Sequence, residues 1–232
     1  MQIIPNVFLV NGFPYGQHQN GYVVRLGEAL VMIDSGDLRA ETFDVVQANC
    51  SAWGFDVGAI SYLLVTHSHF DHASHAARIR RLGAKIVANQ DGAEALASGD
   101  DRCIGYAVER AFEPCDVDRV VGDGDELEIG GARIRCIEAP GHANSCVIYE
   151  VVMDDRRLWF TGDVVLTGPE CQSAELGWDG GPDYDRPTYL ETLKKLRGMD
   201  CDCVFPGHGP PCIGNGKRLI EMAYTKAMRD WC

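Results

Sequence analysis

The chain has 232 residues, a length that suits one hydrophobic core, and we expect a single domain over residues 1–232. Hydrophobic residues make up 46% of the chain and charged residues 24%, a composition that excludes an intrinsically disordered protein. The formal net charge of −13 argues against nucleic acid as substrate or partner, because non-specific affinity for nucleic acid comes mainly from Lys and Arg side chains.

Alternating apolar residues, bounded by Gly, Asn or Asp, predict short strands over residues 7–10, 22–26 and 29–33. A helix is expected from residue 38 to about 53, with Asp37 as its N-cap and Gly54 as its stop. The apolar run over 60–65 predicts a buried strand that leads directly into a cluster of histidines. A short helix up to Gly83 and a strand over 85–88 are expected after that cluster.

The second half begins with a weakly periodic segment, residues 91–116, for which we expect one or two short helices that form a flap or rim. Strands are predicted over 127–129, 132–139, 146–152 and 157–161. Residues 166–186 are rich in Gly and Pro, which is typical of a loop that shapes a site. A helix over 187–197, a strand over 203–206 and a last helix over 217–231 complete the prediction.

Targeting and redox signals are few in this chain. No apolar run is long enough to span a bilayer and the first residues resemble no signal peptide, so we expect a cytoplasmic protein without membrane contact. The ten cysteines have irregular spacings, which favours reduced thiols over a disulfide framework.

The strand over 60–65 is followed by three histidines and one aspartate within six residues, namely His67, His69, Asp71 and His72. Two histidines separated by one residue in an extended segment project to the same side, so His67 and His69 can converge on one metal ion. Asp71 and His72 turn with the chain into a helix and can hold a second ion. Isolated histidines are more often surface or structural residues, but three of them with an aspartate at this spacing favour a metal site. Imidazole nitrogens together with a carboxylate suit zinc, iron or manganese better than calcium.

Three later segments each end a strand and deliver one more potential ligand: Pro140-Gly141-His142, Gly162-Asp163 and Pro206-Gly207-His208. In each segment the glycine allows a close approach of the backbone. Five of the seven histidines fall in these ligand-like contexts, and only His18 and His75 remain outside them.

The set and order of these motifs resemble the metallo-β-lactamase superfamily over essentially the whole chain. The resemblance implies an α+β fold, a four-layer αββα sandwich with the metal ions at one edge of its two sheets. It also implies two divalent metal ions as cofactors, zinc first, with iron or manganese as alternatives. By the family pattern, one ion is held by His67, His69 and His142, the other by Asp71, His72 and His208, and Asp163 bridges them.

Two such cations can share a water molecule, lower its pKa from about 15.7 to about 7, and present a bridging hydroxide as the nucleophile. Asp71, which is placed to orient that hydroxide, and the bridging Asp163 are the predicted catalytic residues. Asp34 matches an early acidic position of the superfamily and either bonds a metal-binding histidine or simply ends a strand in a turn. For Thr66 we expect packing or capping.

Within the superfamily, the motifs resemble the glyoxalase II-like and lactonase-like groups, and Asp163 argues against a true zinc β-lactamase. The prediction is a dinuclear hydrolase of a small ester, thioester or lactone, with a homo-oligomer left open. An alternative is a mononuclear iron oxidoreductase that resembles the persulfide dioxygenases, with His67, His142 and Asp163 as its triad. A non-catalytic binding module ranks last, because no predicted ligand position is eroded.

Overall fold

The computed structural model describes residues 1–232, which form fifteen strands, six α-helices and several short 3-10 turns. The strands are β1 (Gln2–Ile4), β2 (Val7–Asn11), β3 (Gly21–Leu26), β4 (Ala29–Ile33), β5 (Ile60–Leu64), β6 (Lys85–Ala88), β7 (Arg119–Val120), β8 (Glu126–Ile129), β9 (Ala132–Glu138), β10 (Val147–Met153), β11 (Arg156–Gly162), β12 (Leu166–Thr167), β13 (Ala174–Glu175), β14 (Cys203–Pro206) and β15 (Cys212–Ile213). The helices are α1 (Ala40–Ala52), α2 (Phe70–Ala73), α3 (Ala76–Arg81), α4 (Gln90–Ser98), α5 (Arg186–Arg197) and α6 (Gly216–Trp231).

Two large sheets form the centre of the molecule. The first has seven strands in the order β1-β2-β3-β4-β5-β6-β7, antiparallel up to β4 and parallel from β4 to β7. The second has six strands in the order β15-β14-β11-β10-β9-β8, and only its β11–β14 pair is parallel. Strands β12 and β13 pair in a separate two-stranded ribbon.

Alternation along the strands produces the layers. In β2, Val7 and Leu9 join a buried cluster that includes Phe160 of the second sheet, whereas Phe8 joins a cluster with Phe43 of α1. A third buried cluster covers the other face of the second sheet against α5 and α6, and contains Trp159, Leu193 and Ile220. Successive side chains of a strand point to opposite faces, so each sheet is covered on both sides. The order helices, sheet, sheet, helices confirms the predicted four-layer αββα sandwich.

The first helix begins later than predicted, and its predicted N-cap is wrong. Helix α1 starts at Ala40, with Arg39 as its N-cap residue. The Asp37 carboxylate lies two residues earlier, where it accepts hydrogen bonds from Arg39 N at 2.9 Å and from Thr42 Oγ1 at 2.7 Å. Asp37 therefore orders the turn that precedes the helix. Gly54 does follow the helix end, with a left-handed φ of 75°.

Two less regular regions flank the histidine cluster. The 91–116 segment contains α4 and two 3-10 turns, and Ser68 Oγ donates a hydrogen bond to Arg102 O at 3.1 Å, which places this segment as a rim beside the cluster. Residues 166–186 are mostly loop, as predicted, but also include the β12–β13 ribbon.

The ends of four strands meet at one edge of the two sheets. Thr66 O, just after β5, accepts a hydrogen bond from Val147 N at 2.8 Å, and Gly162 O, at the end of β11, accepts one from Gly207 N at 2.8 Å. The first bond joins the two sheets, and the second joins β11 to the end of β14 within the second sheet, at the edge where the predicted ligands emerge.

None of the helices combines the length and the apolar character needed to cross a membrane.

Candidate metal centre

The histidine cluster occupies the turn between β5 and α2. Strand β5 ends at Leu64, and His69 begins the first helical turn, where its carbonyl accepts a hydrogen bond from His72 N at 3.0 Å. His67 and His69 precede the helix, whereas Asp71 and His72 lie within it, so the two pairs face different neighbours. All three histidines of this turn are buried.

The first group of converging donors consists of His67, His69 and His142, whose donor atoms all lie within 4.8 Å of one another. His142 Nε2 lies 3.1 Å from His69 Nδ1. These are the three residues predicted for the first ion.

The second group consists of Asp71, His72 and His208, again with donor atoms within 4.8 Å of one another. Asp71 Oδ2 lies 3.2 Å from His208 Nε2 and 3.6 Å from His72 Nε2. About 17% of the Asp71 side chain and 16% of the His208 side chain are exposed, so the centre opens to solvent on this side.

Asp163 lies between the two groups. Its Oδ1 is 3.3 Å from His72 Nε2, and its Oδ2 is 3.4 Å from His208 Nε2 and 3.7 Å from His142 Nε2. One carboxylate thus faces both groups, and the fold brings all seven predicted residues together.

Hydrogen bonds from outside the centre orient four of its five histidines through Nδ1. His67 Nδ1 lies 3.1 Å from Thr66 Oγ1, and His72 Nδ1 lies 2.8 Å from Asp34 Oδ2. His142 Nδ1 lies 3.0 Å from Trp178 O, and His208 Nδ1 lies 3.1 Å from His18 O. With Nδ1 occupied, each of these rings directs Nε2 inward.

Of the two interpretations of Asp34, the hydrogen bond to a histidine of the centre is the one observed. The same carboxylate accepts hydrogen bonds from Thr66 N at 2.8 Å and Thr66 Oγ1 at 2.7 Å. Thr66 therefore connects Asp34 to the neighbouring His67, which is a positioning role.

No sequence pattern indicates the roles of His18 and Trp178, whose carbonyls accept the hydrogen bonds of His208 and His142. Every residue has a carbonyl oxygen, so only the folded loop shows which one faces a histidine. His75, the other histidine left over by the motifs, is buried against Phe43, with ring centroids 5.3 Å apart.

The donor set fits divalent metal ions. His67 Nε2, His72 Nε2 and Asp163 Oδ1 are buried and have no hydrogen-bond partner. A buried polar atom left in this state costs about 1–3 kcal/mol, and here these atoms converge with other imidazole and carboxylate donors. Nitrogen and oxygen donors in this proportion suit zinc and other first-row cations.

The sequence model of the family described as "Metallo-beta-lactamase superfamily" matches residues 14–208. The chain belongs to the metallo-beta-lactamase superfamily.

Individual relatives of this superfamily member are distant. An atrochrysone carboxyl ACP thioesterase of Emericella nidulans is 26% identical over 90% of this chain and 57% of its own length. The lactamase-like protein ptaB of Pestalotiopsis fici is 26% identical over 99% of this chain and 64% of its own length. The chain thus spans less than two thirds of either relative. The crystal structure of a subclass B3 metallo-beta-lactamase of Bradyrhizobium japonicum has the same fold, with a TM-score of 0.81 and 23% identity over 100% of this chain and 91% of that one.

The two groups of donors in this centre differ in electrostatics. Burial lowers the pKa of His67 well below its ordinary range, and burial with the neighbouring His142 lowers the pKa of His69 to about 3. Burial also lowers the pKa of His208, but Asp163 and Asp71 raise it by more, to about 10. The first group therefore offers neutral rings with free lone pairs, whereas the second combines rings with carboxylates that attract positive charge.

Glycines permit the close packing around the centre, as the motifs predicted. A side-chain carbon on Gly162, which has a φ of +49°, would lie 2.4 Å from Thr66 Oγ1. One on Gly207 would lie 2.3 Å from Asp163 Oδ1 and 2.5 Å from His72 Cε1. All three distances are shorter than any normal contact of such a carbon.

Replacing Asp34 with alanine is expected to weaken metal binding at the second group by about 10–100-fold, because His72 loses the carboxylate that orients it. Competition with a chromophoric chelator would measure this. Asp37→Ala is the matched control, since Asp37 is also buried and hydrogen-bonded but contacts Arg39 and Thr42 instead. Equal affinities in the two variants would contradict a positioning role for Asp34.

Proposed function

We propose that this chain is a metal-dependent hydrolase of small acyl thioesters, esters or lactones, with water as the nucleophile. His67, His69 and His142 would hold one divalent ion, Asp71, His72 and His208 a second, and Asp163 would bind both. The observation that carries the proposal is the position of Asp163, whose two oxygens lie within 3.7 Å of histidine nitrogens from both groups.

Two divalent ions supply, when bound, the Lewis acidity that activates water at neutral pH and polarises a carbonyl. The chain's own residues complete the site on its open side. Asp71 is a partly exposed carboxylate 3.2 Å from His208 Nε2, so it can accept a hydrogen bond from the attacking water and hold it toward the substrate. Four of the five histidines of the centre are buried, so bulk solvent is kept away from their donor nitrogens.

Thioesters are the first of the three substrate classes, because the relative from Emericella nidulans is named as an atrochrysone carboxyl ACP thioesterase. The resemblance to β-lactamase structures supports the fold only, and the aspartate at position 163 still argues against β-lactam cleavage. Zinc is the metal we place first, because two groups rich in histidine match its preferred donors.

The test is a panel of acyl thioesters, esters, lactones and a chromogenic β-lactam, offered to the purified zinc-loaded protein. We expect cleavage of at least one acyl class, loss of more than about 10²-fold of it after treatment with a chelator, and recovery with added zinc. Oxygen uptake with a persulfide is measured in parallel. A zinc-replete protein that is inert to the whole panel would rule out the hydrolase.

A further inference from the structure

His69 differs from the other four histidines of the centre in its orientation. The other four bind an outside partner through Nδ1. His69 instead turns Nδ1 inward, 3.1 Å from His142 Nε2, so its Nε2 points out of the centre. Only 2% of His69 is exposed, and its Nε2 is buried with no hydrogen-bond partner.

A second buried atom without a partner lies close to this nitrogen. Asp183 Oδ2 accepts a hydrogen bond from Asn144 N at 2.7 Å, while Asp183 Oδ1 is buried and unpaired. Both unpaired atoms border one small space above Gly181. A side-chain carbon on Gly181 would lie 3.4 Å from His69 Nε2 and 3.8 Å from Asp183 Oδ1. A donor and an acceptor thus face the same space.

We propose that Asp183 is a positioning residue for His69, and that its Oδ1 receives the Nε2–H hydrogen bond through one water molecule in the space above Gly181. A bridging water suits this arrangement, because it can accept from the ring and donate to the carboxylate, and it satisfies both buried atoms. The bond fixes the ring so that the Nδ1 lone pair faces the ion held with His67 and His142. The inference rests on the proposed metal centre.

The geometry provides two independent substitutions. In Asp183→Asn, the amide oxygen keeps the bond from Asn144 N, and the amide NH₂ then faces the space. The water would then accept hydrogen bonds from both the His69 ring and the amide NH₂. It would have no acceptor for its own protons, so the bridge weakens. In Gly181→Ala, the methyl group stands in ordinary contact with both side chains and displaces the water while His69 and Asp183 remain.

Both variants are expected to bind zinc at the His67, His69 and His142 group about 10–100-fold more weakly than wild type, as measured by chelator competition. The double variant should be no weaker than either single variant, because both remove one bridge. Asp179→Asn is the control, since this exposed carboxylate lies in the same loop and pairs with Arg186.

A second readout reports on the bridge itself. In zinc-loaded protein labelled with ¹⁵N-histidine, the His69 Nε2–H proton should be protected from solvent exchange in wild type and in Asp179→Asn. It should lose protection by at least about tenfold in the other two variants. Wild-type zinc affinity and His69 protection in both Asp183→Asn and Gly181→Ala would overturn the inference. Neither readout involves hydrolysis. The substrate panel can therefore fail while the bridge is confirmed, and the bridge can be overturned while the panel shows hydrolysis.

Discussion

Replacing Asp163 with asparagine is expected to lower the metal content from two ions per chain toward one, and to reduce hydrolysis by at least about 10²-fold. Only this carboxylate faces both groups of donors, with oxygens 3.3 Å from His72 Nε2 and 3.7 Å from His142 Nε2. Asparagine keeps the size but removes the negative charge, so two cations held by the neighbouring groups would repel each other with less compensation. The group of Asp71, His72 and His208 should empty first, because its more exposed side chains hold an ion less firmly.

Metal analysis of the purified variant, together with its rate on the best substrate of the panel, measures both effects. Glu150→Gln is the control for burial of a carboxylate: Glu150 is also buried, but its Oε2 accepts from Trp159 Nε1 at 2.7 Å in the second sheet. The mononuclear iron alternative gives a different pattern. A wild-type protein with a single iron, oxygen uptake with a persulfide and tolerance of His208→Ala would replace the hydrolase with that oxidoreductase.

The sequence was sufficient to predict the layered fold and the seven residues that the fold brings together in the centre. Strand periodicity located β5, β9, β11 and β14 to within one or two residues, and each predicted ligand follows the end of one of them. Because these strand ends meet at one edge, the order of motifs along the chain was enough to indicate a shared site. The assignment of each residue to an ion stays a prediction.

What the sequence could not supply depends on loop packing. The carbonyls of His18 and Trp178 orient two histidines, and backbone carbonyls carry no sequence signal. Asp183 lies in a glycine-rich loop where nothing in its neighbours along the chain indicates His69. The error in the predicted start of α1 has a similar cause, since the Asp37 carboxylate accepts from Arg39 N and from the Thr42 side chain and not from a backbone N–H of the helix.

Replacing Gly207 with alanine is expected to abolish binding of both ions, with loss of at least about 10²-fold in hydrolysis. The added carbon would lie 2.3 Å from Asp163 Oδ1 and 2.5 Å from His72 Cε1. The backbone cannot yield easily, because Gly207 N donates to Gly162 O at 2.8 Å and Gly207 O accepts from Asn20 N at 2.6 Å. The two side chains must therefore move, and both belong to the donors of the centre.

The metal-free variant should also be less stable than metal-free wild type by about 1–3 kcal/mol, the usual cost of forcing an extra carbon into a packed region. Metal analysis and denaturant unfolding of both apo-proteins separate the two effects. Gly122→Ala is the matched control, because an added carbon there would meet nothing closer than Asp125 Oδ2 at 3.9 Å. If Gly207→Ala kept two ions and full activity, Asp163 and His72 could not both be ligands at the positions found here. If Gly207→Ala lost stability but kept both ions, this glycine would be needed for packing and not for metal binding.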